Sequence, residues 1–428
     1  MSFRKRIAKL SDKTCTAVET PVYSAAIGAY STAVRIAASR LPKARRLVEG
    51  HKKVWLRFEE IARQGGRWIW IHASSLGEFE QGRPLIERIR REKPGFRILL
   101  TFFSPSGYEV RKGYQGADAV AYLPFDFDSN ARRFLDLVKP EMAFFIKYEF
   151  WRNYLRHLHR RGIPTYLVSG IFRESQLFFK PVGIGYRKWL GYFTHLYVQD
   201  ENSRRLLGSI GIRNVTVAGD TRFDRVTDIM RTRKEIPEVA AFTKDSGFTL
   251  CIGSSWQQDE KIYFPWLAAN PAVKAVIAPH EFDEARIRKL LDAFPGEAVT
   301  LSQVRKNPES ANGKRILIID CFGLLSSIYG YCDAAWIGGA FGSGLHNINE
   351  AAVYGIPVIF GPRHGKFIEA GEIIATGGGF CVEDAEQAAA ILGKICSGNA
   401  FRAKAGKCAG EYIKSKLGAT DIIFRDLF

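Results

Sequence analysis

The stretch 336–362 reads Trp-Ile-Gly-Gly-Ala-Phe-Gly-Ser-Gly-Leu-His-Asn-Ile-Asn-Glu-Ala-Ala-Val-Tyr-Gly-Ile-Pro-Val-Ile-Phe-Gly-Pro. It predicts a strand at 334–337, a glycine loop, a helix and a second strand at 358–360. The helix is expected to begin near His346 or Asn347 and to run to Tyr354, where Gly-Ile-Pro breaks it. Units of this kind build parallel α/β sheets.

The glycine loop and the expected helix form a candidate nucleotide site. Glycine allows tight turns and a close approach of the backbone to a ligand. The first amides of a helix lack intrahelical partners, so an anion can bind there. Glu350 lies three residues after Asn347, and its carboxylate could accept hydrogen bonds from a ribose diol. The glycine spacing by itself does not distinguish a nucleotide site from an ordinary strand–helix–strand unit whose glycines only form turns.

Composition limits the possible partners. A chain of 428 residues with 46% hydrophobic residues predicts two domains with substantial cores. The net charge of +18 indicates an anionic partner, and residues 1–53 contribute 12 Lys and Arg against 3 Asp and Glu. No RNA-binding motif accompanies this charge, so anionic lipid or a phosphorylated glycolipid is favoured over nucleic acid. The seven cysteines form no C-x-x-C pair, which argues against a zinc site and fits a reducing cytoplasm.

The N-terminal region is basic. Residues 1–20 contain no long apolar run and do not resemble a secretory signal. Residues 22–41 are more apolar, but Arg35 and Arg40 interrupt them, whereas a spanning helix needs about 20 apolar residues. We therefore expect a helix that lies in the membrane interface. A basic helix packed on the first domain is the alternative.

Strands and helices alternate along the rest of the chain. Further strands are predicted at 67–72, 98–102, 119–123, 142–146, 165–168, 195–198 and 215–218, and, after a charged linker, at 249–252, 275–278 and 316–319. This order predicts parallel sheets covered by helices on both faces. Ligands of such sheets bind beyond the carboxyl ends of the strands. In the first half these ends carry polar residues, namely Glu78, Ser104, Ser106, Glu149 and Arg173.

Several motifs together resemble those of the 3-deoxy-D-manno-oct-2-ulosonic acid (Kdo) transferases, from about Tyr23 onward. They are the segments 72–78, His-Ala-Ser-Ser-Leu-Gly-Glu; 122–126, Tyr-Leu-Pro-Phe-Asp; 219–224, Gly-Asp-Thr-Arg-Phe-Asp; and 347–350, Asn-Ile-Asn-Glu. The resemblance implies two Rossmann-like domains of the GT-B type that face a central cleft. The expected parts are a basic membrane-associating arm (1–53), an acceptor domain (54–226), a linker (227–246) and a donor domain (247–428) whose last helical stretch, 401–417, returns to the first domain.

The resemblance also implies an activity. It predicts an inverting transferase that moves Kdo from CMP-Kdo to the lipid A precursor (lipid IVA) at the cytoplasmic face of the inner membrane. No cofactor is expected. No metal is expected either, because the leaving group carries one phosphate, which amides and cationic side chains can neutralise. The expected partners are CMP-Kdo, the lipid A precursor and anionic inner-membrane lipids, and not nucleic acid.

The motifs assign candidate site residues. Glu78 matches the catalytic base of the family, and Arg222 matches a lysine that stabilises the transition state. Glu149 is a third catalytic candidate, since Lys147 stands where the family has its first glutamate. The candidate donor-binding residues are Ser254, Ser255, Pro279, His280, Phe322, Gly323, Leu324, Gly344, His346, Asn347, Ile348, Asn349 and Glu350. The candidate acceptor-binding residues are Ser104, Ser106, Gly107 and Arg173.

Other interpretations stay open at this point. Two more departures from the family, His280 for arginine and Leu324 for glutamate, remove polar contacts. A transferase that uses a UDP-sugar would need more cationic contacts for its second phosphate than His280 provides. An inactive nucleotide- or lipid-binding module is disfavoured by the retained Glu78. A nucleic-acid binder would rest on charge alone.

Overall fold

Two compact units make up the described chain. The computed structural model describes residues 22–342 and 344–428, so the predictions for 1–21 lie outside the described residues. The first unit contains the described residues up to Asp224 together with Gly418–Phe428, and the second contains Arg225–Leu417. In the described part, each unit is built on a seven-stranded parallel sheet. The predicted fold class, two Rossmann-like α/β domains, is confirmed.

The first sheet has the order β3-β2-β1-β4-β5-β6-β7. Its strands, β1 to β7 in chain order, are Arg67–His72, Phe96–Phe102, Ala119–Tyr122, Met142–Ile146, Thr165–Gly170, His195–Val198 and Val215–Val217. Its helices are 22–37, Pro42–Lys52, Val54–Gln64, Leu76–Glu92, Pro105–Arg111, Asp128–Val138, Arg152–Arg160, Arg187–Leu190, Glu201–Ser209 and Ala419–Leu427, with 3-10 turns at Leu177–Phe179 and Pro181–Tyr186. The helix Arg222–Arg231 begins in this unit and continues into the second.

Strand β1 shows why this sheet is covered on both faces. Successive side chains of a strand point to opposite faces. Trp68 and Trp70 join one buried cluster, whereas Ile69 and Ile71 join another. Such continuous burial is typical of parallel strands between two helical layers.

The second sheet has the order β10-β11-β9-β8-β12-β13-β14. Its strands, β8 to β14 in chain order, are Thr249–Ser255, Lys274–Pro279, Ala298–Thr300, Ile316–Ile318, Ala334–Ile337, Val358–Phe360 and Gly379–Cys381. Its helices are Pro237–Thr243, Gln257–Ala269, Glu284–Ala293, Leu301–Lys306, Leu325–Ile328, Asn349–Ala352, Ile368–Thr376, Ala385–Ser397 and Asn399–Ser415, with 3-10 turns at Pro308–Ala311 and Tyr329–Tyr331.

The chain passes between the units at two places. The predicted linker, 227–246, contains most of the helix Arg222–Arg231 and the whole helix Pro237–Thr243. Val239 and Phe242 are buried, so this segment packs on the second unit. The helix that returns to the first unit is Ala419–Leu427, not the predicted stretch 401–417, which stays in the second unit.

The helix 22–37 packs on the first unit. Tyr23 donates a 2.6 Å hydrogen bond to Asp126, and its ring meets Trp189 edge-on at 5.1 Å. Tyr30 lies 6.2 Å from Phe103, between ring centres. Within the described residues, no helix combines the length and the apolar character needed to cross a membrane.

Candidate active site

The order of the first sheet reverses between β1 and β4, which are hydrogen-bonded neighbours. Ligands of open α/β sheets bind beyond the strand ends at such a switch point. The loop after β1 leads into the helix Leu76–Glu92, and Glu78 lies in its first turn. The amide of Ser75 donates a 3.0 Å hydrogen bond to Glu78 Oε2. This pairing follows from the Ser-x-x-Glu pattern, a capping box that holds the carboxylate at the helix start.

Glu149 follows β4 on the other side of the switch point, and a set of donors holds its carboxylate. Its Oε2 accepts a 2.5 Å hydrogen bond from the Ser74 hydroxyl and another from the Trp151 indole. His72 Nε2 lies 3.2 Å from the same oxygen. The other nitrogen of this fully buried imidazole lies 2.9 Å from Thr101 Oγ1, which fixes the plane of the ring.

The two carboxylates have opposite electrostatic environments. Burial, reinforced by the negative charge of Glu149, raises the pKa of Glu78 to about 7. Burial alone would raise the pKa of Glu149 too, but the hydrogen bonds from His72, Ser74 and Trp151 lower it below the ordinary value. Glu149 therefore stays ionised while Glu78 exchanges its proton near neutral pH. Pairs of carboxyl groups whose pKa values are pushed apart are typical of acid–base sites.

Lys147 and Arg222 add positive charge at this edge. Lys147 follows β4 directly in a left-handed conformation, with φ at 67°, and its charge opposes the rise in the pKa of Glu78. Arg222 Nε donates a 2.9 Å hydrogen bond to the buried Asp220, which also accepts bonds from the Arg222 amide (2.9 Å) and from Gln81 (3.0 Å). Asp220, which the sequence analysis did not single out, therefore sets the direction of the Arg222 guanidinium.

Tyr148 shows which predicted residues lie near one another. Burial raises the pKa of its phenol, the charges of Arg173 and Arg222 oppose this rise, and that of Glu78 reinforces it. These three predicted site residues thus act on a single side chain. Arg173 itself is exposed, as a contact to an anionic acceptor requires.

The predicted acceptor loop after β2 contains both exposed and buried residues. The hydroxyls of Ser104 and Ser106 lie 2.8 Å apart at the start of the helix Pro105–Arg111, and the exposed Ser106 can reach a ligand. Gly107 is buried instead. A Cβ at this position would lie 2.3 Å from the Phe102 ring and 3.1 Å from the Ser75 backbone, so Gly107 permits close packing and does not face an acceptor.

The second sheet reverses between β8 and β12, and the loop with the predicted donor residues 344–350 follows β12. Ser254 takes a left-handed conformation, with φ at 53°. A Cβ on Gly338, which follows β12, would lie 2.2 Å from the Ser254 carbonyl, so only glycine fits this crossing. Ser255, which was predicted to bind the donor, is only 1% exposed, and its hydroxyl lies 2.7 Å from that of Tyr263.

Three aromatic side chains stack beside these loops. Trp256 and His280 have ring centres 4.3 Å apart, and His280 and His346 lie 4.6 Å apart. His346 Nε2 accepts a 3.1 Å hydrogen bond from the Trp256 indole. Burial, together with the nearby His280, lowers the pKa of His346 to about 4. A neutral, hydrogen-bonded His346 holds the loop in place, whereas the exposed edge of His280 is open to a ligand.

The prediction of a helix that begins at His346 or Asn347 and runs to Tyr354 is wrong. The structure contains a single turn, Asn349–Ala352. Gly344, with φ at 132°, and the Asn347 side chain, which accepts a 3.1 Å hydrogen bond from the amide of Asn349, keep the preceding residues out of the helix. A turn of four residues has little dipole, so the predicted anion site at a helix N-terminus is lost.

Glu350 nevertheless lies among polar groups. It accepts a 3.0 Å hydrogen bond from Asn347 Nδ2. Burial raises its pKa, and Asn347 and the positive charge of Arg225 oppose the rise. Arg225 was not predicted, although it follows directly on the matched segment 219–224. Ile348 and Asn349 are 1% and 2% exposed, so these two predicted donor residues belong to the core of the unit.

The remaining predicted donor residues lie at the end of β9 or follow β11. Phe322 is 82% exposed and meets Phe282 edge-on, with ring centres 4.0 Å apart. Gly323 has φ at 79°, which shapes this exposed turn. Leu324 and Pro279 are buried, so neither offers a polar group to a ligand.

The described residues contain no group of three or more His, Cys, Asp or Glu side chains that could hold a metal ion. Metal-independent transfer remains a prediction that activity measurements must test.

The comparisons with known proteins point to one family. The family model of the 3-deoxy-D-manno-octulosonic-acid transferases (kdotransferases) matches residues 45–225. This match covers less than half of the chain and agrees with the resemblance of the sequence motifs. The members of the family are glycosyltransferases, and the matched segment contains Glu78, Glu149 and Arg222.

Relatives and solved structures extend the comparison over most of the chain. The 3-deoxy-D-manno-octulosonic acid transferase of Bordetella pertussis is 27% identical, over 82% of this chain and 85% of its own length. That of Aquifex aeolicus is 26% identical, over 77% of this chain and 86% of its own. Among solved structures, the UDP-GlcNAc 2-epimerase of Neisseria meningitidis superposes with a TM-score of 0.59 at 15% identity, over 84% of this chain and 99% of that chain, which shows a shared fold alone.

Proposed function

We propose that this Kdo transferase moves Kdo from CMP-Kdo to a sugar hydroxyl of the lipid A precursor in lipopolysaccharide synthesis. The observation that carries this proposal is the pair of carboxylates at the first switch point. Glu78 has a pKa of about 7, and Glu149 is held ionised beside it. A general base works best when its pKa lies near the working pH.

The reaction then proceeds by a single displacement. Glu78 accepts the proton of the acceptor hydroxyl, whose oxygen forms a bond to the anomeric carbon of Kdo. The bond from that carbon to the phosphate oxygen breaks, and CMP leaves with the electron pair. Attack opposite the leaving group inverts the anomeric centre. Arg222, oriented by Asp220, supplies positive charge for the anion that develops.

The second unit supplies the groups that bind the donor. Glu350 and Asn347 offer a carboxylate and an amide to the ribose hydroxyls. The exposed Phe322 ring provides a surface on which the cytosine can stack. Ser254 lies near the end of β8 and His280 follows the neighbouring β9, so both are suited to the single phosphate.

We place the enzyme at the cytoplasmic face of the inner membrane, bound to anionic lipids. The helix 22–37 and the turn after it expose Val22, Ile36 and Leu41. Residues 22–53 contain seven Lys and Arg and one Glu. An apolar surface flanked by basic side chains is typical of interfacial helices.

The test is direct product analysis. The protein is incubated with CMP-Kdo and the tetraacylated lipid A precursor, with and without EDTA, and the products are weighed by mass spectrometry. Parallel reactions contain UDP-N-acetylglucosamine in place of CMP-Kdo. We expect the acceptor to gain the mass of one or more Kdo residues only with CMP-Kdo, in both buffers. Transfer from the UDP-sugar alone, or none from either donor, contradicts the proposal.

A further inference from the structure

An apolar cavity of about 380 Å³ lies beneath the helix 22–37, within the first unit. Its walls come from this helix, from the helix Pro42–Lys52 and from the loop after β2. This volume lies within the range of small-molecule sites. None of the predicted catalytic or donor-binding residues lines it.

Small side chains leave this cavity open. Ala33 and Ala37 are one helical turn apart and face it together, and Ala44 faces it from the next helix. Leu47 and Phe103 complete apolar walls. Larger apolar residues at the alanine positions would close the space, as happens in ordinary helix packing.

One end of the cavity adjoins the carboxylate site. Ser104, a predicted acceptor residue, lines the cavity. Its amide donates a 2.7 Å hydrogen bond to the carbonyl of Ser74. The Ser74 hydroxyl in turn donates to Glu149. A molecule in this cavity therefore contacts the loop after β2, which is hydrogen-bonded to the loop between β1 and the helix of Glu78.

The rim of the cavity is basic. Lys43 lines it, and Arg40, Arg45 and Arg46 lie on the exposed surface beside it. An apolar interior with a cationic rim suits the hydrocarbon chain of a lipid whose headgroup is anionic.

We propose that this cavity binds one acyl chain of the lipid acceptor, and thereby holds the acceptor sugar at Glu78. The inference rests on the proposed function and deepens it, because it assigns a binding site to the acyl part of the acceptor, which a sugar-binding loop cannot recognise. Burial of an acyl chain in this cavity makes the enzyme select acylated over water-soluble acceptors. Expelling only two methylene groups from an apolar site weakens binding by about tenfold.

A filled cavity tests this assignment. Ala37→Phe places a ring in the cavity, and Ala25→Phe makes the same change at an exposed position of the same helix that does not line it. The value of kcat/KM is measured for the tetraacylated precursor and for its deacylated, water-soluble counterpart. We expect Ala37→Phe to lose about tenfold or more with the acylated acceptor and less than twofold with the deacylated one. Ala25→Phe should change neither value. Equal losses with both acceptors, or no loss, would overturn the assignment.

A binding measurement separates this inference from the proposed function. A tetraacylated precursor with a photoactivatable diazirine in one acyl chain is cross-linked to the full chain, and the modified residues are mapped by mass spectrometry. Cross-links within 30–47 and 103–105 support the cavity even if the protein transfers no Kdo, in which case only the proposed function fails. Cross-links elsewhere overturn the inference even if transfer occurs. Unchanged cross-linking in the Ala37→Phe variant would also overturn it. The inference would also be overturned if these ranges were cross-linked only after residues 1–21 are deleted. In that case residues 1–21, and not an acyl chain, would occupy the cavity in the full chain.

Discussion

Glu78 and Glu149 stand after adjacent strands of the first sheet, and the charge of the second raises the pKa of the first. Hydrogen bonds from three side chains keep Glu149 ionised, so its charge persists across the neutral range. The hydrogen bonds that Glu78 accepts from Ser75 do not offset its burial, so Glu78 loses its proton only near pH 7. This difference in pKa gives the two carboxylates separate roles.

The pH profile should report this coupling. Since the base must be ionised, kcat/KM of the wild type should rise with pH through about 7. Glu149→Gln removes the negative charge that raises the pKa of Glu78, so this limb should move to lower pH, whatever the loss of turnover. The control is Glu141→Gln, which changes an exposed carboxylate just before β4 that pairs with Arg67. This variant should leave the limb of the pH profile in place. A limb that stays in place or moves to higher pH in Glu149→Gln would show that the two carboxylates are not coupled.

Donor binding should depend on Glu350. Glu350→Ala removes the acceptors assigned to the ribose diol and should weaken CMP binding by about 1.5–3 kcal/mol, the range for hydrogen bonds to charged groups. Calorimetry with CMP measures this, and Glu383→Ala, an exposed residue of the same unit, is the control. Unchanged affinity in a folded variant would place the ribose elsewhere.

Arginine at position 280 should strengthen CMP binding. His280 stacks on Trp256, and a planar guanidinium can stack there as well while adding two parallel donors for the phosphate. We expect His280→Arg to bind CMP about tenfold more tightly. His280→Gln, which adds no charge, should not. An equal or weaker affinity in the arginine variant would remove position 280 from the phosphate site.

Binding to anionic vesicles should depend on salt. The basic side chains of 22–53 are mostly exposed, and exposed charges are screened within about 10 Å at 0.1 M salt. Sedimentation with phosphatidylglycerol vesicles should fall steeply between roughly 0.05 and 0.5 M NaCl, because the Debye length shortens from about 14 Å to about 4 Å over this range. Vesicles of neutral lipid are the control. Protein that stays bound in high salt and in alkaline washes would contradict an interfacial mode of binding.

The sequence predicts most strands because their apolar runs end in glycine, proline or polar residues. The predicted and observed bounds agree for 67–72, 142–146, 195–198, 334–337 and 358–360. It misses Ala298–Thr300 and Gly379–Cys381, since Ala-Val-Thr and Gly-Phe-Cys are not continuous apolar runs like the equally short Val358–Phe360. The helix expected after the glycine loop fails for a different reason. Its local sequence permits a helix, but the Asn347 side chain bonds to the backbone and limits the helix to one turn.

The site follows from the sequence only in part. The Ser-x-x-Glu pattern places Glu78 at a helix start because both partners lie within one turn. The contact between His72 and Glu149 joins residues 77 positions apart, so no local pattern contains it. The same holds for Gln81 and Asp220, which orient Arg222. Burial of Ser255, Ile348 and Asn349 likewise depends on packing that the motifs do not encode.

The measurement that tests the central claim most directly is the turnover of Glu78→Gln, taken together with its affinity for CMP. Glutamine keeps the shape of the side chain but cannot accept the proton, so turnover should fall by about 10²- to 10⁴-fold. CMP affinity should stay within twofold, because the predicted donor residues belong to the second unit. Near-normal turnover in this variant would contradict the assignment of Glu78 as the base and leave Glu149 as the next candidate. A parallel loss of CMP binding would contradict it as well, since Glu78 would then order the protein and not transfer a proton.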